Sequence, residues 1–344
     1  KDIVSLNVQI SDPVTKEELH EIINQTALDI HIPEINSLVP VSMIYRLENL
    51  DASSTQIYDL EPLSSLNHLR ELNINNTGVA SIEPLMKLDN IRTIRLENTM
   101  VSDLMPLQNC SNLQVVYCDH SNVTTENVLL LKKKLPESLV VYQSDNMNMW
   151  WNSLNDEWKQ LLKKEAGIDG DMTRENMQQV ADLNKLNISD KLSIRNLEPL
   201  TVFLQLQELI IGNTAISDIS PITLLPNLVK FEITNSPISS VERINGLKEL
   251  RHLSIENTPV EDIEPIFELA GLTSLNISGT QVKNLKGLEK LSELKILSIN
   301  NTNIKNLKPV ESLYNLQEFR CFNTSVKASK IEDYKKSHPK VEVV

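Results

Sequence analysis

Residues 69–90 read LRELNINNTGVASIEPLMKLDN and residues 91–112 read IRTIRLENTMVSDLMPLQNCSN. Written one above the other, the two stretches share a frame. Leu69, Leu72, Ile74 and Thr77 recur 22 residues later as Ile91, Ile94, Leu96 and Thr99. The same frame returns at Leu206, Leu228, Leu250, Leu272, Leu294 and Leu316. A fixed period in this range predicts a solenoid of short coils, whose core grows by adding repeats.

Each unit reads as one coil. Leu72-x-Ile74 alternates with period two and predicts a short strand whose Leu and Ile face inward. Stacked strands then form a parallel sheet, with Asn73 and Asn75 on the outer, concave side. Thr77, Thr99, Thr214, Thr258, Thr280, Thr302 and Thr324 sit where the chain turns in, where a hydroxyl can bond to backbone. The preceding asparagines, Asn76 and its equivalents, suit a turn because the amide can satisfy local backbone groups. On the return path, Ile82, Leu85 and Leu88 step by three, as in a 3₁₀ turn. Pro62, Pro84, Pro106, Pro199, Pro221, Pro265 and Pro309 recur where such a turn starts. The fold class is therefore α/β in the repeat sense: parallel strands on one face, 3₁₀ or short helical turns on the other.

The frame breaks once. Leu113 and Leu206 are 93 residues apart, which is not a multiple of the repeat. Residues 122–142, NVTTENVLLLKKKLPESLVVY, resemble the final stretch 325–344, SVKASKIEDYKKSHPKVEVV. Both read as a helix followed by a last strand that seals an array. DPVTKEEL at 12–19 likewise resembles DMTRENM at 171–177, with Thr15 and Thr173 as helix N-caps and Glu18 completing the better capping box. The expected organisation is an N-terminal cap (1–46), a first array (47–122) and its C-terminal cap (123–145). A helical linker and second N-terminal cap (146–182), a second array (183–324) and a final cap (325–344) follow. All three tryptophans, Trp150, Trp151 and Trp158, fall in the linker. They are read as sealing the second array and joining it to the first, or else as an aromatic binding patch.

Composition excludes more than it selects. Hydrophobic residues are 40% of the chain but aromatics only 4%, as expected of one aliphatic set reused per coil. A net charge of −13 repels phosphate and argues against nucleic acid or an anionic membrane as partner. No apolar run is long enough to span a membrane. The three cysteines make no disulfide framework. Cys118 and Cys321 fall on inward strand positions and read as buried thiols, while Cys110 lies on the return side. Of six histidines, His68, His120 and His252 lie in different coils without a metal-ligand spacing. No nucleophile elbow, zinc helix, phosphate loop or CxxC pair occurs. The chain is read as no enzyme, with no cofactor and no metal.

The coils resemble leucine-rich repeats of the short bacterial type found in internalin-like proteins, over most of residues 47–142 and 183–344. The whole-chain pattern resembles secreted or surface proteins of gut Bacteroidetes. That resemblance implies a right-handed curved solenoid that recognises partners on its concave strand face, without catalytic residues. The chain departs from the usual coil in carrying threonine where asparagine is commonest. It begins at Lys1, as after removal of a signal peptide, although an internal fragment would look the same. Secretion or outer-surface display is expected, with a lipid anchor as one route.

Alternation along the strands selects the candidate surface: Asn73, Arg95, Tyr117 and Asp119 in the first array, and Lys230, Glu232, His252, Glu256, Arg320 and Phe322 in the second. Tyr117, Ile210, Ile296 and Phe322 stand out as exposed apolar side chains, with Tyr117 and Phe322 able to touch a cap instead. Ser254, Ser278 and Ser298 leave a shallow floor. The expected partner of a monomeric chain is a protein or peptide. A glycan ligand, or a structural envelope or spacer role without a ligand, is the alternative.

Overall fold

In a computed structural model, residues 15–344 are described. Two compact units divide the chain, Lys1–Met149 and Trp150–Val344.

The first unit carries a six-stranded parallel sheet in sequence order. Its strands are β1 (Ala27–Asp29), β2 (Asn49–Asp51), β3 (Glu71–Asn73), β4 (Thr93–Arg95), β5 (Val115–Tyr117) and β6 (Leu139–Val141). From β1 to β5, partners are one repeat apart: Leu28 pairs with Leu50, Leu50 with Leu72, Leu72 with Ile94 and Ile94 with Val116. The repeat frame thus begins one coil earlier than the leading leucines mark. Gln25 occupies the leucine position of that coil, which hid it within the expected cap. Helix α1 (Lys16–Ile23) precedes β1. It starts directly after Thr15, while the Glu18 side chain and residues 12–14 lie outside the described residues. Helix α2 (Thr125–Lys134) and then β6 close the other end, with Leu139 beside Val115.

Helices α3 (Ser144–Ser153), α4 (Asp156–Glu165) and α5 (Arg174–Ala181) follow, and the division between units falls inside α3. Thr173 and Asn176 make a reciprocal capping box at the start of α5, at 3.2 Å in each direction. Within the second unit, the Trp150 indole N–H donates to the Pro199 carbonyl at 3.0 Å, and its ring meets Phe203 edge-on. Trp151 and Trp158 are buried, so these rings serve packing and hydrogen bonding within the second unit.

The second unit holds an eight-stranded parallel sheet. Its strands are β7 (Lys185–Asn187), β8 (Glu208–Gly212), β9 (Lys230–Thr234), β10 (His252–Ser254), β11 (Ser274–Asn276), β12 (Ile296–Ser298), β13 (Glu318–Arg320) and β14 (Glu342–Val343). Helix α6 (Ala328–Ser337) precedes β14, and its buried Tyr334 packs edge-on against Phe319, centroids 5.4 Å apart.

The inward set is buried throughout: Leu69, Leu72, Ile74, Leu206, Leu209, Ile211, Leu272 and Leu275 are all at most 1% exposed. Burying such a side chain contributes about 1.5–3 kcal/mol each, so many coils together hold the solenoid. No single coil can do so alone. Opposite the strands, 3₁₀ turns open on Pro62, Pro84, Pro106, Pro199, Pro221 and Pro265, and also on Pro40. Pro309 lies in a plain turn instead.

The turn chemistry is now explicit. Buried threonine hydroxyls donate three residues back: Thr77 to Ile74 O and Thr99 to Leu96 O at 2.7 Å each, and Thr302 to Ile299 O at 2.6 Å. Thr214 instead shares a 3.0 Å hydrogen bond with Ser236, and the Thr324 hydroxyl has no partner among the described residues. The asparagines before them serve the backbone. Asn76, Asn98, Asn213, Asn235, Asn257, Asn301 and Asn323 all have φ between 50° and 56°. Asparagine tolerates this left-handed region better than other non-glycine residues. In the second unit the amides also form a ladder, Asn257 to Asn235 at 3.1 Å and Asn235 to Asn213 at 3.0 Å.

Candidate functional site: the strand faces

Because alternate strand residues face outward, each coil presents two or three side chains beside those of its neighbours. In the first unit they are tied laterally. The Asn73 amide donates to Asp51 Oδ2 at 2.8 Å, and its oxygen accepts from the Asn75 N–H at 3.1 Å. Asn75 in turn donates to Glu97 Oε2 at 2.8 Å and accepts from the Glu97 N–H at 2.7 Å. Asp51 also accepts from the Ser53 N–H and hydroxyl, at 2.9 and 2.6 Å. Burial pushes the Asp51 carboxyl up, but these donors outweigh it and hold it below the usual carboxylate range.

Two candidates are corrected. Tyr117 takes the cap contact that was the alternative to standing exposed: it is only 8% exposed, with the Arg95 guanidinium carbon 4.0 Å from its ring centroid. Val141 of β6 pairs beside it, so the capping strand and Arg95 cover it. Asp119 is only 4% exposed because its carboxylate accepts from the Ser144 N–H at 2.8 Å and the Ser144 hydroxyl at 2.6 Å, where α3 begins. It anchors a helix and presents no free face.

In the second unit, Lys230 pairs with Glu232 at 3.1 Å and Arg320 with Glu318 at 2.5 Å. Glu256 accepts from the Asn276 amide at 2.9 Å. His252 is exposed on β10. Phe322 is 73% exposed, its N–H held by Asn300 Oδ1 at 2.8 Å. Ile210 and Ile296 are half-buried between neighbouring coils, not exposed. Gly212, Ser278 and Ser298 are buried and form the low floor of the face. Candidates therefore form columns within each unit and do not converge on one reacting centre.

Catalytic chemistry finds no footing in these groups. Burial pushes the Cys110 thiol up to about 11 and raises the Cys118 and Cys321 thiols as well. His120 points outward to Asp145, at 3.2 Å, away from the inward Cys118. No group of three or more His, Cys, Asp or Glu comes together as a metal site among the described residues.

The strand repeat, its parallel register and the 3₁₀ return path decide the architecture. The fold is a leucine-rich-repeat solenoid. Residues 45–86 match the family described as leucine-rich repeats in two copies. No curated protein matches the chain. Among solved structures, internalin C2 of Listeria monocytogenes is similar at 22% identity and a TM-score of 0.50, over 58% of this chain and 85% of that one. Another Listeria monocytogenes internalin is 22% identical over 96% of this chain and 88% of that one, with a TM-score of 0.45. A leucine-rich-repeat protein of Leptospira interrogans is 16% identical over 96% of this chain and 86% of its own, with a TM-score of 0.43. These likenesses bear on the fold alone. Among the described residues no helix is long and apolar enough to cross a membrane.

The sequence columns left out Asp29, His31 and Asp51. The first two belong to the hidden β1 coil. Asp51 lies one repeat before Asn73, and that spacing alone was enough to find it.

Proposed function

We propose that the chain is a non-enzymatic recognition module that takes a protein or peptide on its strand faces. Solenoids of this kind generally serve protein–protein contact. The observation that carries the reading here is the lateral hydrogen bonding of the outward side chains, Asp51–Asn73–Asn75–Glu97 above all. Side chains already fixed lose less conformational freedom when a partner arrives, and that saving appears as affinity.

The test compares capture from host and bacterial extracts by the intact protein, a strand-face variant altered in both units (Glu71→Ala with Lys230→Ala and His252→Ala) and a 3₁₀-face variant (Glu83→Ala with Glu264→Ala). A protein retained by the intact and 3₁₀-face forms, and lost by the strand-face form, supports the reading. Equal retention by all three contradicts it. Secretion or surface display belongs to the same proposal. Protease treatment of intact cells that releases the chain supports it, and full protection contradicts it.

A further inference from the structure

The two strand faces treat their charges differently. In the second unit, lysine and arginine meet the acids on the face itself: Lys185 with Glu208 at 2.9 Å, Lys230 with Glu232 and Arg320 with Glu318. In the first unit Asp29 meets His31 and Glu48 meets Arg70, but the hydrogen-bond donors to Asp51 are neutral, Ser53 and Asn73, so they order its negative charge without adding a cation. Glu71 stands exposed on the next strand.

Asp29, Asp51, Glu71 and Arg95 line one open depression of about 380 Å³ across β1 to β4. Its charges are graded. Asp29 and Asp51 are register partners on adjacent strands, and Glu71 follows on β3. Arg95 closes the opposite end, with its guanidinium stacked on Tyr117. Adjacent strands lie about 4.8 Å apart, so the carboxylate end spans roughly 10 Å. In an extended peptide, side chains on one side recur every ~6.8 Å. That spacing falls between one coil step and two, so two cationic side chains at alternate positions can reach carboxylates of neighbouring coils.

We propose that this depression docks an extended segment of a protein partner, with lysine or arginine at alternate positions placed over Asp51 and Glu71. The inference rests on the strand-face reading and adds the partner's chemistry and its orientation. Arg95 repels a third cation, so it fixes which end of the segment lies over β4. On the second unit's face three acids, Glu208, Glu232 and Glu318, already meet a lysine or arginine. Nucleic acid and anionic lipid are opposed by the sign of the depression.

The probe is a fluorescent peptide of about a dozen residues alternating lysine and serine, with a glutamate–serine peptide as its opposite, titrated by anisotropy onto the full chain. Binding of the lysine peptide alone, weakening as salt rises, is expected. Asp51→Asn with Glu71→Gln should weaken it about tenfold, in keeping with two partly exposed ion pairs. Glu71→Gln alone, at an exposed position, should weaken it about threefold. Arg95→Gln should tighten it, and Glu208→Gln with Glu232→Gln should leave it unchanged. Equal binding of both peptides, no binding of either, or indifference to the Asp51 and Glu71 substitutions overturns the inference. In those cases a partner still lost by the Glu71→Ala, Lys230→Ala, His252→Ala form leaves the broader strand-face reading standing.

Discussion

The guanidinium of Arg95 lies over the ring of Tyr117, the residue one repeat later in the same outward column, with 4.0 Å between carbon and centroid. The pair turns two apparent surface residues into one fixed object. The cation covers the aromatic face and the ring holds the cation still. A contact of this type contributes about 0.5–1 kcal/mol at partly exposed sites. In a double-mutant cycle of Arg95→Ala and Tyr117→Leu, urea unfolding should give a coupling of that size. A coupling of zero would mean that the two side chains merely lie near each other.

The threonine turns make a sharper comparison. Thr99 is buried and donates to the Leu96 carbonyl at 2.7 Å, whereas the Thr324 hydroxyl is buried without a partner among the described residues. Thr99→Val should cost about 1–2 kcal/mol, because it strands a buried carbonyl. Thr324→Val should be neutral or mildly stabilising, since it removes a polar atom that bonds to nothing. Equal losses in thermal or urea unfolding would contradict the assignment of these bonds.

Gly279 occupies the turn position filled by asparagine in the neighbouring coils, at φ 67°. It interrupts the amide ladder between Asn257 and Asn301. A side chain there first meets the amide end of Asn257, which can swing away. Gly279→Asn should therefore fall within about 0.5 kcal/mol of wild type in urea unfolding, the loss of a glycine's flexible unfolded state helping to offset the crowding. Gly279→Val puts a β-branched residue at positive φ and should cost more than about 1 kcal/mol. Indistinguishable stabilities for the two variants would show that the turn does not enforce the left-handed backbone.

His31 sits beside Asp29, and that hydrogen bond, reinforced by the carboxylate charge, raises the imidazole above its ordinary value of 6.5. A raised folded value means that the pairing favours folding while the imidazole is protonated. The contribution is complete below the unfolded value and fades as pH rises through the higher folded one. An NMR titration of His31 should therefore show a midpoint above that of a free histidine. Asp29→Asn should lower the midpoint. An unchanged midpoint in the variant would remove Asp29 as the cause.

All three cysteines are buried as free thiols, and burial disfavours their thiolates. The folded protein should resist a thiol-specific chromogenic disulfide reagent at neutral pH, and all three should react once denaturant unfolds it. Fast labelling of a native thiol would place that residue at the surface.

The inward frame was readable from sequence because one aliphatic residue type must recur wherever the core continues. Leu72, Leu209 and Leu275 illustrate this, and all are buried. The β1 coil was not readable, because Gln25 stands where the frame has leucine. Tyr117 and Asp119 follow the alternation rule, yet they are covered by β6, Arg95 and the start of α3. Alternation gives the direction of a side chain but cannot say what lies over it. Asp29, the acid of β1, was missed for a related reason, whereas Asp51 of β2 lay within reach of the repeat spacing, and it is the pairing of the two that the sequence hid. The depression they share depends on β1, a strand that the leucine spacing did not announce. Pairing on the second face, Lys230 with Glu232, was hidden because both residues follow the outward rule equally well as free charges.

The account depends most on one strand per repeat, paired in parallel with the residue one repeat later. Backbone amide-to-α-proton NOEs in selectively 15N- and 13C-labelled protein that keeps its α-protons measure this directly. Cross-strand contacts are predicted between the Leu72 and Ile94 strands and between the Leu209 and Phe231 strands, in the parallel pattern. A register displaced by one residue would turn the buried leucines outward, and contacts of the antiparallel pattern would contradict the stacking of coils; either removes the columns on which both proposed docking surfaces stand.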